Sequence, residues 1–210
     1  MEGAPLRQRF LWLLAFAFML AGLVVLWCST KAEPVVSGGP DLSQLPALQT
    51  GDWLFRLGHS ADSRLVHQLS DGDYSHIGMV VATEPQVLVV HATTDDDPQR
   101  LNQVLISTLE DFLQPALARH FAIARPEFLN ADQKQAAARM LHDTIGAPFV
   151  LDVRSQPHRY CTTLLAEAIK TQAADFEPAW TRLDNPLYRG DVLFPSAFAD
   201  YPGVAWLYRF

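Results

Sequence analysis

From Phe10 to Trp27 the chain reads Phe-Leu-Trp-Leu-Leu-Ala-Phe-Ala-Phe-Met-Leu-Ala-Gly-Leu-Val-Val-Leu-Trp, with no ionisable side chain. A run this apolar approaches the roughly 20 residues that cross a bilayer as a helix. Arg7 and Arg9 precede it, so the positive-inside rule puts residues 1–9 in the cytoplasm and everything beyond Cys28 on the far side. The expectation is a single-pass signal anchor over residues 10–28, in a bacterial inner membrane with the remaining chain in the periplasm. A cleaved signal peptide has a shorter apolar core of about 7–15 residues, although Thr30 and Ala32 would serve as small residues at a cleavage site. Trp27 stands where a small residue should precede a lipidated cysteine, which argues against lipidation at Cys28.

Residues 29–46 are rich in Pro, Gly and Ser and read as a linker, and 47–210 suffice for one domain with its own core. The formal net charge of −7 and the absence of a basic run argue against nucleic acid as a partner. No internal repeat or low-complexity tract is present.

Within the domain, Gly51-Asp52-Trp53-Leu54-Phe55-Arg56 reads as a turn entering a strand, and Ser63 to Leu69 as a helical turn. Asp71-Gly72-Asp73 is a turn. His76 to Ala82 and Val87 to Ala92 are β-rich runs on either side of Thr83-Glu84-Pro85-Gln86, the pattern of a hairpin. Thr108 to Leu117 reads as a short helix and His120 to Ala124 as a strand ended by Pro126. Asn130 to Ile145 is a helix capped by Asn130 and Gln133 and stopped by Gly146 and Pro148. A second helix runs from Cys161 to about Lys170. Asp191 to Pro195 is a candidate strand. The balance is α+β, with helices and strands in separate blocks.

Cys161 is the only cysteine outside the apolar run and its border, so it has no partner for a disulfide within the domain. Leu164, Leu165, Ala168 and Ile169 follow it on one helical face, which puts the thiol in the first turn with its stem toward the core. Helix starts are electropositive and favour thiolate, the nucleophilic form. On these residues alone two readings stay open: an activated nucleophile, or a buried cysteine acting as a small hydrophobe.

A nucleophilic thiol needs a base and a group that orients the base. If the hairpin turns at Glu84-Pro85, Val80 pairs with Val89 and Gly78 with His91, so His76 and His91 share a face one diagonal step apart. Cys161 would then be nucleophile, His76 general base and acid, and His91 the acceptor of the other His76 ring proton. Backbone amides at the helix start, joined by the Tyr160 hydroxyl, are candidate donors to an oxyanion. A register slip of one residue would send His91 to the opposite face, and on these residues alone the simpler reading of each histidine is an ordinary strand residue or a half-buried hydrogen-bonding group.

Metal is the other use for such side chains. The seven histidines include no His-x-x-x-His pair, there is no Cys-x-x-Cys, and Asp95-Asp96-Asp97 lacks the glycine and glutamate of a calcium loop. The expectation is no metal and no cofactor, with the acidic run a solvated loop. His59, His67, His120, His142 and His158 read as surface or structural residues.

Taken together these segments resemble the YiiX/YebB-like cysteine hydrolases, a circularly permuted branch of the NlpC-type papain-like superfamily. The likeness rests on Gly51-Asp52-Trp53-Leu54-Phe55-Arg56, on Ser75-His76-Ile77-Gly78-Met79-Val80-Val81 and on Tyr160-Cys161-Thr162-Thr163-Leu164, with histidine before cysteine as the permutation implies. Lesser blocks are Leu109 to Leu113, Ala124-Arg125-Pro126, Ile145 to Phe149 and Phe194 to Phe198. The chain departs from the pattern at His91, where relatives carry a carboxylate or amide, at Phe149-Val150 in place of Tyr-Asp, and at Thr163 in place of Glu.

The resemblance implies a permuted papain-like (NlpC-type) fold, an antiparallel sheet packed with helices, with Cys161, His76 and His91 as catalytic residues. It also implies cleavage of an amide, in a peptide or cell-wall peptide, through a thiol acyl-enzyme. Two rivals remain: hydrolysis or transfer of an acyl group from an N-acyl or ester lipid at the same site, and a catalytically inactive membrane-anchored binding module.

Overall fold

The computed structural model describes residues 42–184 and 189–209, so the expected anchor at 10–28 and the linker up to residue 41 lie outside the described residues. Among the described residues no helix is long and apolar enough to cross a membrane.

Gly51 enters the first strand at a φ of +92°, and a Cβ there would stand 2.6 Å from the Lys134 side chain, so both conformation and space require glycine. Strand β1 (Trp53–Leu57) follows and is buried along its whole length. Helix α1 (Ala61–Ser70) is capped by the Ser60 hydroxyl, which accepts from the Ser63 amide at 3.0 Å, and Asp71 ends it in the left-handed region. Strands β2 (His76–Ala82) and β3 (Leu88–Thr93) form the expected hairpin, with Val80 opposite Val89. A bulge between Val80 and Ala82 shifts the turn end by one residue, so Leu88 rather than Val87 faces Ala82.

Next comes a strand the sequence reading passed over, β4 (Gln103–Thr108), which pairs with β3 along its length. The helix expected over Thr108 to Leu117 is only α2 (Leu109–Phe112), because Thr108 is the last strand residue and its hydroxyl caps the turn by accepting from the Asp111 amide. Strand β5 (His120–Pro126) leads to helix α3 (Ala131–His142), where Asn130 and Gln133 form the reciprocal capping box. That helix stops short of Ile145. A tight turn takes over, in which the Thr144 hydroxyl donates to the Leu141 carbonyl at 2.6 Å.

Helix α4 (Cys161–Lys170) begins at the cysteine, as expected. A small ribbon of β6 (Thr181–Asp184) and β7 (Arg189–Val192), the short helix α5 (Ser196–Ala199) and strand β8 (Val204–Arg209) complete the chain. The main sheet is antiparallel in the order β4-β3-β2-β1-β5-β8.

Alternation divides the sheet residues between two cores. Trp53, Phe55, Ile77, Met79 and Val90 face α3 and α4, whose Ala137, Leu141, Leu164, Leu165 and Ile169 close that side. Burying each large aliphatic side chain there contributes about 1.5–3 kcal/mol. Leu54, Val80, Val89, Phe121 and Ile123 face the other way, under Leu109, Phe112 and Leu113. This two-sided burial explains why β1 reads as a nearly continuous apolar run.

Candidate active site

His76 opens β2 and His91 lies near the end of β3, and their Nε2 and Nδ1 atoms are 3.0 Å apart. The other nitrogen of His91, Nε2, is 3.0 Å from the Ser107 hydroxyl on β4. Of the two tautomer assignments that satisfy both contacts, the one in which His91 accepts at Nδ1 leaves a lone pair at His76 Nδ1. His76 Nε2–H donates to His91, and His91 Nε2–H donates to Ser107 Oγ. Phe112 packs on both rings, with centroids 5.7 Å from His76 and 5.0 Å from His91. The space over Gly78 is filled, since a Cβ there would meet Val89 at 2.6 Å and Phe112 at 3.1 Å.

The β2–β3 ladder runs from Ala82–Leu88 to Met79–Val90 and stops before the two histidines. Val80 donates to Asp52 on the β1 side, so strand alternation aims the Ile77 N–H toward β3, where the ladder has ended. That amide approaches the Cys161 sulfur, as do those of Thr162 and Cys161 itself. The thiol thus sits against the main chain of the residue following His76, on a helix packed across β2 and β3. Among the described residues no hydrogen bond joins Cys161 to the His76 ring.

Here the electrostatics differ from the sequence expectation. Burial pushes the Cys161 thiol up to about 11, against the pull of the nearby amides and the Arg56 charge. Burial also holds His76 well below the usual histidine range, with Arg56 and His91 acting in the same direction, and brings His91 down to about 3. The resting pair is neutral thiol and neutral imidazole. The first turn of α4 offers N–H donors, but desolvation outweighs them.

Behind the histidines lies a charge pair that the sequence reading missed. The Arg56 guanidinium binds the Asp96 carboxylate, with both side chains nearly buried, and also donates to the Phe112 carbonyl at 2.8 Å. Thr93 donates to the other Asp96 oxygen at 2.9 Å. Asp96 was expected in a solvated loop. Its charge is instead matched by Arg56, 40 residues away in sequence, which holds its carboxyl far below the ordinary range. Asp95 stays exposed, as expected of the acidic run.

Cys161 also forms part of the wall of an apolar cleft between α1, α4 and the β6–β7 ribbon. Tyr160, beside the cysteine, shares that wall, and its hydroxyl accepts from the Leu193 amide at 2.9 Å. His59, His67 and His142 are exposed, His158 is half-buried, and His120 takes the Asp73 carbonyl at 3.0 Å, all apart from the His76–His91 pair.

Residues 47–182 match the family model described as permuted papain-like amidase enzyme, YaeF/YiiX, C92 family. The chain belongs to that amidase family. The fold agrees with the crystal structure of the metalloprotein yiiX from Escherichia coli O157:H7, at a TM-score of 0.64 and 20% identity over 77% of this chain and 97% of that one. None of the curated proteins matches the chain.

In this family member, one group among the described residues has the donor types for a metal: His76, His91 and Asp96, with ligand atoms within 4.8 Å of one another. The donor set does not fit an ion. Asp96 already carries the Arg56 guanidinium, and both His91 nitrogens are engaged by His76 and Ser107. A divalent cation would have to displace a buried arginine or stand against its charge.

Proposed function

We propose that the protein is a thiol amidase in which Cys161 forms an acyl-enzyme with His76 as proton carrier and His91 as the residue that positions His76. The observation that carries this reading is the 3.0 Å contact between His76 Nε2 and His91 Nδ1, which directs the free lone pair of His76 to Nδ1.

Because thiol and imidazole rest neutral, proton transfer accompanies attack. His76 Nδ1 takes the thiol proton as sulfur bonds to the carbonyl carbon, and the negative charge moves to the carbonyl oxygen. The amides at the start of α4 and the Tyr160 hydroxyl are the donors for that oxygen. Collapse of the tetrahedral species breaks the carbon–nitrogen bond, and His76 hands its proton to the departing amine. Water then adds to the thioester with His76 as base, releasing the carboxylic acid and restoring the thiol.

Residues 10–28 anchor this domain to the inner membrane with the site in the periplasm, a reading supported by the apolar run and by Arg7 and Arg9. Amide substrates reachable there are cell-wall peptides and acylated lipids.

A neutral thiol alkylates slowly, so the informative reagent is one that brings a carbonyl into the site. Incubated with activated acyl esters, the full chain is expected to accumulate a hydroxylamine-sensitive acyl adduct on Cys161, seen by intact mass. His76→Ala should slow its formation by about 10²–10⁴-fold. Adduct formation at the same rate in that variant would remove His76 from the mechanism.

A further inference from the structure

His91 is fully buried, yet the group at its far nitrogen reaches solvent. Ser107, whose hydroxyl meets His91 Nε2 at 3.0 Å, is only half-buried. It lines a polar cleft on β4, the outermost strand of the sheet, together with Asp96, Asp97, Arg100, Asp111 and Gln114. This cleft shares no residue with the apolar one beside Cys161. Among the described residues the Ser107 hydroxyl bonds only to His91, so its other side is open to water in the cleft.

Two proton arrangements fit the same heavy-atom positions. In one, His76 Nε2–H donates to His91 Nδ1 and His91 Nε2–H donates to Ser107 Oγ. In the other, Ser107 donates to His91 Nε2 and His91 Nδ1–H donates to His76 Nε2. The first makes His76 Nδ1 a base, and the second makes it a proton donor. Passing between them moves hydrogens along existing contacts and no heavy atom.

The surroundings favour such a passage over storing charge on a ring. Burial opposes a positive charge on either imidazole, and Arg56 adds to the opposition. Asp96 stands 3.7 Å from His91 Nδ1, but its charge is already matched by Arg56. At the cleft the balance reverses, because three carboxylates, Asp96, Asp97 and Asp111, face one cation, Arg100.

We infer that His76, His91 and Ser107 form a proton path joining the thiol to the polar cleft on β4, with both imidazoles neutral before and after each transfer. The inference rests on the thiol amidase reading. In the acylation step the S–H bond breaks and that proton binds His76 Nδ1. The His76 Nε2 proton passes to His91 Nδ1, the His91 Nε2 proton to Ser107 Oγ, and the Ser107 hydroxyl hydrogen to water in the cleft. Sulfur keeps the electron pair and bonds to the carbonyl carbon. The departing amine takes the Nδ1 proton, and the path then runs backward with one proton drawn from the cleft. Nothing is oxidised or reduced. Ser107 is a positioning residue that acts through His91.

The test uses the full chain in detergent with p-nitrophenyl acetate, following the first turnover by stopped flow in mixtures of light and heavy water. One proton in flight gives a rate that changes linearly with deuterium content, whereas several moving together give a bowed line. The wild-type line is expected to bow. Ser107→Ala should slow acylation by about tenfold, the scale of one lost hydrogen bond, and straighten the line. Ser107→Thr keeps the hydroxyl and should restore both rate and bow. His91→Asn, which accepts from His76 but passes no proton on, should also give a straight line.

A straight line in the wild type, or a bow that survives in Ser107→Ala, overturns the proton path and leaves the thiol amidase reading standing. Wild-type acylation no faster than in Cys161→Ala overturns the amidase reading, and the path with it.

Discussion

His76 and His91 are joined ring to ring, Nε2 to Nδ1 at 3.0 Å, and the far nitrogen of His91 is tied to Ser107 at the same distance. With His91 accepting at Nδ1, the basic nitrogen of His76 is Nδ1. His91→Ala should therefore lower kcat by about 10²-fold through loss of orientation, with KM little changed. His91→Asn, which can still accept the His76 proton, should recover most of the loss. Equal loss in both variants, measured by steady-state kinetics, would reduce His91 to a packing residue.

The neutral resting pair sets the pH profile. His76 must be unprotonated to act as base, and its lowered pKa keeps it so down to pH values below the usual histidine range. Activity should stay level from about pH 6.5 toward the alkaline side and fall only in acid. Iodoacetamide labelling of Cys161 should be slower at pH 7 than that of free cysteine and climb toward pH 11. A labelling curve with its midpoint below pH 7 would mean a preformed thiolate.

Acid should unfold this domain early. Between about pH 6.5 and 3 the unfolded chain protonates His91 while the folded protein does not, so stability falls as pH drops through that window. His76 acts in the same direction. Each histidine contributes up to about 1.4 kcal/mol per pH unit. Asp96, whose folded pKa is depressed, adds a loss as pH falls below about 4. Urea midpoints at pH 7, 5 and 4 should decline at a rate that eases in His91→Asn.

The Arg56–Asp96 pair should be costly to break and cheap to replace. Asp96→Asn leaves a buried guanidinium without its counter-charge, an expected loss of about 3–5 kcal/mol. The double variant Arg56→Met with Asp96→Leu removes both charges and should regain most of that. Chemical denaturation of the two variants separates the outcomes.

For the membrane orientation, a reporter fused after Phe210 should be active in the periplasm and silent in the cytoplasm. Cytoplasmic activity would refute the assignment made from Arg7 and Arg9.

What could be read from the residues is what repeats locally. The β2–β3 hairpin follows from two β-branched runs around Glu84-Pro85, and its register put His91 beside His76 because Val80 does face Val89. The α3 cap was legible because Asn130 and Gln133 are three residues apart. Asp96 was not, because nothing near it in sequence indicates that Arg56 will neutralise it. Ser107 was hidden for a related reason: Gln103–Thr108 has no turn residue that marks it as a strand lying beside His91. The direction of the Cys161 shift was misread because a helix start is visible in a sequence, whereas depth of burial is not. The cleft beside Cys161, assembled from α1, Leu151 and the ribbon, has no local signature at all.

Burial of Cys161 has a consequence beyond catalysis. Peroxide attacks thiolate, and a cysteine that is 9% exposed, with its thiol held above the ordinary range by burial, offers it little. With no second cysteine among residues 47–210 to resolve a sulfenate, burial would keep the proposed nucleophile dormant until a carbonyl arrives.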